Sequence, residues 1–286
     1  MAMARRSRHL EEARTLYARM MAAASGSTDP RLERIFELVP REAFLPPGPW
    51  HIKVEHGLVE TPSADPALLY QNALVVLDQQ KGINNGEPFL HARLIGAVAP
   101  QPGETVIQVG AGGGYYTAML SMLVLPDGKV FAYELDGPLA EAARRNLTPF
   151  ENVTVLLQNA VEGAIEPSDV IYVNAGVVAP PRSWLTALKR GGRIVFPWRP
   201  ANDIGLAVLA RAEHAGSEPI GFSTRILGNA WFIPCEGASD EEASIRKPTV
   251  REARQARAIF LRSQREPDAS AVAVYPDLWF SSQALR

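Results

Sequence analysis

The stretch Val106-Ile-Gln-Val-Gly-Ala-Gly-Gly-Gly-Tyr115 decides the fold, because Gly110, Gly112 and Gly114 alternate directly after a β-rich run and directly before a helical one. Glycine lacks a Cβ, so such a turn bends tightly and lets a ligand come close to the backbone. The helix start behind it offers unpaired N–H groups and the positive end of a dipole, a setting for a carboxylate or phosphate. A dinucleotide-binding turn needs glycine at the sixth position of G-x-G-x-x-G, and Tyr115 stands there. A nicotinamide oxidoreductase is therefore disfavoured. Glu134 ends the next β-rich run, about 20 residues beyond Gly114, where an acid can accept hydrogen bonds from both hydroxyls of a ribose.

Outward from the turn, strand and helix signals alternate. Thr105 to Val109 is followed by a helix to about Leu125, a strand Val130 to Glu134, a helix Pro138 to Leu147, and strands Val153 to Leu157 and Val170 to Val173. Helix Arg182 to Leu188 and strand Arg193 to Pro197 continue the pattern. This predicts a doubly wound, Rossmann-like α/β fold whose mostly parallel sheet is covered on both faces. Ile204 to Ala212 and Phe222 to Ile233 have no helix between them and predict an antiparallel pair. Ahead of the core, Arg5 to Ala24 and Leu32 to Val39 read as helices, the second with Asp29 and Pro30 as N-cap and first position. Phe44 to Pro66 reads as an irregular, partly extended loop, Ala73 to Leu77 as a short strand, Lys81 to Pro88 as a turn and Phe89 to Val98 as a helix. The tail reads as a charged helix, Val250 to Ser263, and an apolar end with Tyr275, Trp279 and Phe280. Three regions result: a helical and loop cap over 1–80, the core over 81–238, and a C-terminal helical extension over 239–286.

Composition narrows the function classes. With 29 basic and 31 acidic residues the formal charge is −2, which provides no broad attraction to nucleic acid or anionic lipid. The short basic run Arg5, Arg6 and Arg8 reads as a solvated helix face. Cys235 is the sole cysteine, so no intramolecular disulfide and no Cys-rich metal site can form. The five histidines have no metal-ligand spacing, and there is no G-x-S-x-G nucleophile turn. No apolar stretch approaches the ~20 residues of a membrane span. The expected setting is cytoplasmic, with no metal, no membrane and no nucleic-acid partner; the sequence carries no reading of oligomeric state.

The alternate-glycine turn resembles the first motif of class I S-adenosylmethionine methyltransferases, and further segments narrow the likeness. Val39-Pro-Arg-Glu-Ala-Phe-Leu-Pro46, Val130-Phe-Ala-Tyr-Glu-Leu-Asp136, Leu188-Lys-Arg-Gly-Gly-Arg-Ile-Val-Phe-Pro197 and Phe232-Ile-Pro234, in that order, resemble the protein-L-isoaspartate O-methyltransferases, over about Arg14 to Gly237. The resemblance implies S-adenosyl-L-methionine as cofactor, and methyl transfer to a carboxylate of a peptide, protein or small molecule. It implies a cofactor set of Gln108, Gly110, Gly112, Gly114, Tyr115, Glu134, Leu135, Asn159, Ala160 and Asn174, with Asn159 toward the adenine amino group and Asn174 toward the methyl. The family's signature loop, G-Q-T-I-S-Q-P, corresponds to Gly82-Ile-Asn-Asn-Gly-Glu-Pro88. Its serine falls on Gly86 and its threonine on Asn84, and the acid that begins the glycine motif is Gln108 here. Asn84, Asn85 and Glu87 are then the candidate catalytic residues. The alternative is a cofactor-binding homologue without isoaspartyl repair, acting on another acceptor or binding a partner through its tail.

Overall fold

The structure, a computed structural model, describes residues 2–215 and 218–285. The side chains of residues 2–7, 215 and 218 lie outside it, and with them Arg5 and Arg6 of the basic run. In chain order the elements are α1 (Ala2–Ser25), α2 (Arg31–Leu38), β1 (His51–Val54), β2 (Gly57–Glu60), β3 (Leu74–Asp78), β4 (Ile83–Asn84), α3 (Pro88–Val98), β5 (Thr105–Val109) and α4 (Tyr115–Val124). Next come β6 (Lys129–Glu134), α5 (Gly137–Asn146), β7 (Val153–Leu157), β8 (Ser168–Val173), α6 (Arg182–Ala187), β9 (Leu188–Ala201), β10 (Ile204–Ala215) and β11 (Glu218–Asn229). The tail adds α7 (Val250–Ala253), β12 (Ala258–Leu261), β13 (Ala271–Val274) and β14 (Leu278–Ser281). The chain forms two compact units: Met1–Gly103 with Ala111–Lys129 and Asp136–Val155, and Glu104–Gly110 with Val130–Leu135 and Leu156–Arg286.

In the first unit the Asp29 carboxylate accepts the Arg31 backbone N–H at 3.0 Å and so starts α2. Leu32, Ile35 and Phe36, at helical spacing, are buried. Phe36 meets Tyr17 of α1 edge-on at 6.2 Å. Arg41 is wholly buried, and its guanidinium donates to the carbonyls of Leu69, Gln71 and Ala73. A charge taken from water needs such partners. The segment expected to be irregular, Phe44 to Pro66, contains the hairpin β1–β2, part of a four-stranded antiparallel sheet ordered β2-β1-β3-β4. Both hairpin strands are largely exposed. His51-Ile-Lys-Val54 alternates, with Ile52 packed against Trp50, Leu69 and Val75, but the run is only four residues long and Gly57-Leu-Val-Glu60 does not alternate, so pattern alone reads the segment as loop.

The second unit carries most of a ten-stranded sheet ordered β13-β14-β12-β11-β10-β9-β8-β5-β6-β7. β5 pairs parallel with β8, and β8 parallel with β9, as the strand–helix alternation predicts. Their Val and Ile runs are buried on both faces, as parallel strands require. β9, β10 and β11 then pair antiparallel, in agreement with the missing crossover helix. The expected helix Val250 to Ser263 is corrected: only the turn Val250–Ala253 is helical, and Ala258–Leu261 is a strand between β11 and β14. The helix signal is local, a capping box in which Thr249 and Glu252 satisfy each other's backbone N–H. Beyond it, Ala258-Ile-Phe-Leu261 and Leu278-Trp-Phe-Ser281 are buried on both faces and pair with each other. Long-range pairing overrides the helix propensity of the intervening arginines. The tail is thus built of strands and enlarges the antiparallel wing.

Candidate functional site

The glycine turn begins where β5 ends. Gly110, with φ +80°, donates its N–H to the Tyr133 carbonyl at 2.9 Å. Gly112 and Gly114 have φ of +56° and +94°, a region that L side chains enter only at a cost. Gly114 is the N-cap of α4. The reasons for glycine differ along the turn. A Cβ on Gly114 would stand 2.8 Å from Leu147 Cδ1, and one on Gly113 2.6 Å from the Phe44 carbonyl oxygen. A Cβ on Gly112 would find only Leu77 Cδ1, at 3.8 Å. Gly113 and Gly114 are therefore small for packing, whereas Gly112 opens onto space. Gly113 was not singled out by pattern; its carbonyl accepts the Asn146 side-chain amide at 2.9 Å, which fixes the turn to the end of α5.

Tyr115 lies in the core of the first unit. Its ring packs edge-on against Phe44, and its hydroxyl lies 3.3 Å from that of Tyr17. Burial pushes its phenol well above the ordinary range. Its side chain is committed to packing, so only its backbone N–H, at the first turn of α4, could hold a cofactor.

In the second unit, four strand ends carry the other cofactor candidates. Gln108 is wholly buried, and neither end of its side-chain amide finds a partner among the described residues. Glu134 is almost buried at the end of β6, one carboxylate oxygen accepting the Leu135 N–H at 2.9 Å. Leu135 itself is 47% exposed, a large apolar side chain directly beyond the acid. The Asn159 side-chain oxygen caps a turn by accepting the Val161 N–H at 3.0 Å. Ala160 is buried, and its carbonyl accepts the indole N–H of Trp184 at 2.8 Å. Asn174 donates to the Gly110 carbonyl at 2.9 Å, bracing the turn from β8, and its buried oxygen has no partner among the described residues.

The loop after β3 belongs to the first unit. The Asn84 oxygen accepts the Gly86 N–H at 2.9 Å, and the Asn85 oxygen accepts the Val75 N–H at 2.8 Å. The Asn85 N–H in turn donates to the Val75 carbonyl. These two side chains shape the loop. Glu87 is partly exposed at the start of α3 and accepts the Asn72 amide at 2.8 Å. Lys81, absent from the sequence candidates, pairs with Asp136, whose other oxygen caps α5 by accepting the Leu139 N–H at 3.0 Å. The Lys81 hydrogen bond holds the Asp136 carboxyl below the usual range, and the same bond raises the Lys81 ammonium. A Cβ on Gly86 would fall 2.1 Å from His91 Nε2. The buried His91 ring stacks on Tyr116 at 3.7 Å, and burial, with Arg41 nearby, pushes its pKa down to about 3. It is neutral at physiological pH. Among the described residues no group of three or more His, Cys, Asp or Glu could hold a metal, and no helix is long and apolar enough to cross a membrane.

Comparison with known proteins agrees with this frame. The chain matches the model of the Protein-L-isoaspartate(D-aspartate) O-methyltransferase family over residues 60–236. It is 32% identical over 220 residues to the protein-L-isoaspartate O-methyltransferase of Rhodopseudomonas palustris, covering 76% of this chain and 89% of that one. A solved protein-L-isoaspartate O-methyltransferase superposes with a TM-score of 0.66 at 22% identity, over 93% of this chain and 86% of that one. A Plasmodium falciparum protein crystallised with S-adenosyl-L-homocysteine gives 0.61 at 15% identity, over 78% of this chain and 98% of that one. The fold is the Rossmann-like methyltransferase fold, and the chain belongs to the protein-L-isoaspartate(D-aspartate) O-methyltransferase family.

Proposed function

We propose that this chain is an S-adenosylmethionine-dependent carboxyl O-methyltransferase that acts on a peptide or protein, isoaspartyl residues being the first acceptor to test. The observation that carries the reading is the turn from Gly110 to Gly114, open at Gly112, with Glu134 at the end of the following strand. The residues present fit the cofactor's chemistry. The buried Gln108 amide and the Asn174 oxygen are polar atoms without a protein partner, Glu134 is an acceptor for a ribose diol, and exposed Leu135 is an apolar surface for a flat base. In this reading Gly110, Gly112, Gly114 and the Tyr115 N–H hold the amino-acid half, and Glu134, Leu135, Asn159 and Ala160 the nucleoside half. When bound, the cofactor supplies an electrophilic methyl on a sulfonium.

The chain's own task is alignment. An acceptor carboxylate, with a pKa near ~4, is ionised at neutral pH and needs no base. What remains is to hold its oxygen in line with the methyl and to exclude water, which is proximity catalysis. Asn174 at the end of β8, and the loop bearing Asn84, Asn85 and Glu87, are the groups assigned to that side. The buried lone thiol Cys235, which burial pushes up to about 11, suits a reducing cytoplasm and supplies no nucleophile. The test is transfer of labelled methyl from S-adenosylmethionine to an isoaspartyl peptide, read as base-labile ester. Saturable, peptide-dependent label is expected; absence of label on isoaspartyl peptides alongside intact cofactor binding would overturn the isoaspartyl acceptor.

A further inference from the structure

Two residues past Asn174 the strand end is crossed by a cation. The Arg199 side chain lies over Gly176, where a Cβ would stand 2.5 Å from Arg199 Cδ. It then donates from Nη1 to the Phe232 carbonyl at 2.7 Å, and its guanidinium carbon lies 5.6 Å from the centre of the Trp231 ring. The indole has its own seat: a Cβ on Gly205 would fall 2.7 Å from Trp231 Cδ2. Two glycines, Gly176 beyond the end of β8 and Gly205 in β10, thus give room to the two members of one pair. Trp231 is nevertheless 55% exposed, and Ile233, two residues on, is 43% exposed. The two large apolar side chains flank in sequence the Phe232 carbonyl that Arg199 holds, and both are left to solvent.

No carboxylate pairs with Arg199 among the described residues, and its Nε is buried without a partner. With Nη1 on the Phe232 carbonyl and the guanidinium carbon over the indole, Nη2 is left without a partner among the described residues, and a guanidinium of this kind suits a planar anion such as a carboxylate. Resting on the methyltransferase reading above, we propose that Arg199, seated on Trp231, is a specificity-determining residue that binds a carboxylate of the acceptor other than the one methylated. The distinction follows from the chemistry: a guanidinium bound to the reacting carboxylate withdraws the electron density that the oxygen must donate to the methyl. The preferred acceptor accordingly carries a second acid next to the reacting residue, with an apolar group to lie on Trp231 or Ile233.

The test uses two isoaspartyl peptides that differ only in a neighbouring Glu or Gln, with wild type, Arg199→Gln and Arg199→Lys. Wild type is expected to show a KM about tenfold lower for the Glu peptide, the scale of one charge-assisted hydrogen-bonded contact. Arg199→Gln should remove that preference while leaving cofactor affinity and KM for the Gln peptide unchanged, and Arg199→Lys should keep part of it. Calorimetric binding of the same peptides to protein saturated with S-adenosylhomocysteine gives a second readout, independent of turnover. An Arg199-dependent preference in binding without methyl transfer would uphold this inference and sink the proposed activity. Equal binding of the two peptides by wild type, or an undiminished preference in Arg199→Gln, would overturn it.

Discussion

Gly112 and Gly114 look alike in the sequence, and the structure separates them. At Gly114 an alanine meets both a left-handed backbone and Leu147, so Gly114→Ala should cost about 2 kcal/mol or more of stability. At Gly112 the backbone penalty stands alone, about 1 kcal/mol, and the added methyl enters the space assigned to the cofactor. Gly112→Ala should therefore fold, with a small drop in denaturant midpoint, yet bind cofactor far more weakly; unchanged affinity would place the ligand elsewhere. The need for glycine was legible from the spacing of Gly110, Gly112 and Gly114, since tight turns advertise themselves. The seat of Tyr115 was not, because a side chain at a helix start points toward ligand or core according to partners such as Phe44 and Tyr17, distant in sequence.

The elements that frame the turn owe their ends to polar side chains. Asp136 caps α5 and holds Lys81 of the loop before α3. Its carboxyl pKa is lowered in the folded protein, chiefly by Lys81. The stabilisation is fully present above the unfolded value near ~4 and is lost as pH falls through the lower folded value. Asp136→Asn retains a capping oxygen and loses the charge. Its denaturant midpoint should lie below wild type at pH 7, and the two should converge under strongly acid conditions; a constant gap would assign the effect to the cap alone. Strand–helix alternation placed β5 through β9 because each carries a short, mostly apolar β-rich run, such as Val106-Ile-Gln-Val109 and Val170-Ile-Tyr-Val173. The hairpin β1–β2 and the pairs Lys81–Asp136 and Asn146–Gly113 were not legible, for they rest on short, exposed runs or on long-range contacts.

For the whole molecule, the tail is where sequence reasoning and structure part. β12 to β14 continue the sheet, and Phe280 stacks on Trp198 of β9 at 4.0 Å. The solved relative with a TM-score of 0.66 covers 93% of this chain, a share that residues 1–238 alone do not reach. Phe280→Ala should cost about 3–5 kcal/mol, as expected for a large aromatic removed from a packed core. Chemical denaturation followed through the tryptophans checks this, and a loss below about 1 kcal/mol would show the tail to be a loose appendage. The central claim, that the glycine turn and the acid of the next strand hold a sulfonium nucleoside, is tested most directly by titration calorimetry with S-adenosylmethionine on wild type and Glu134→Ala. Saturable one-to-one binding by wild type, weakened about tenfold to a hundredfold in the variant while its unfolding midpoint holds, is the predicted result. Absence of binding by wild type, or equal affinity in the two proteins, would contradict it.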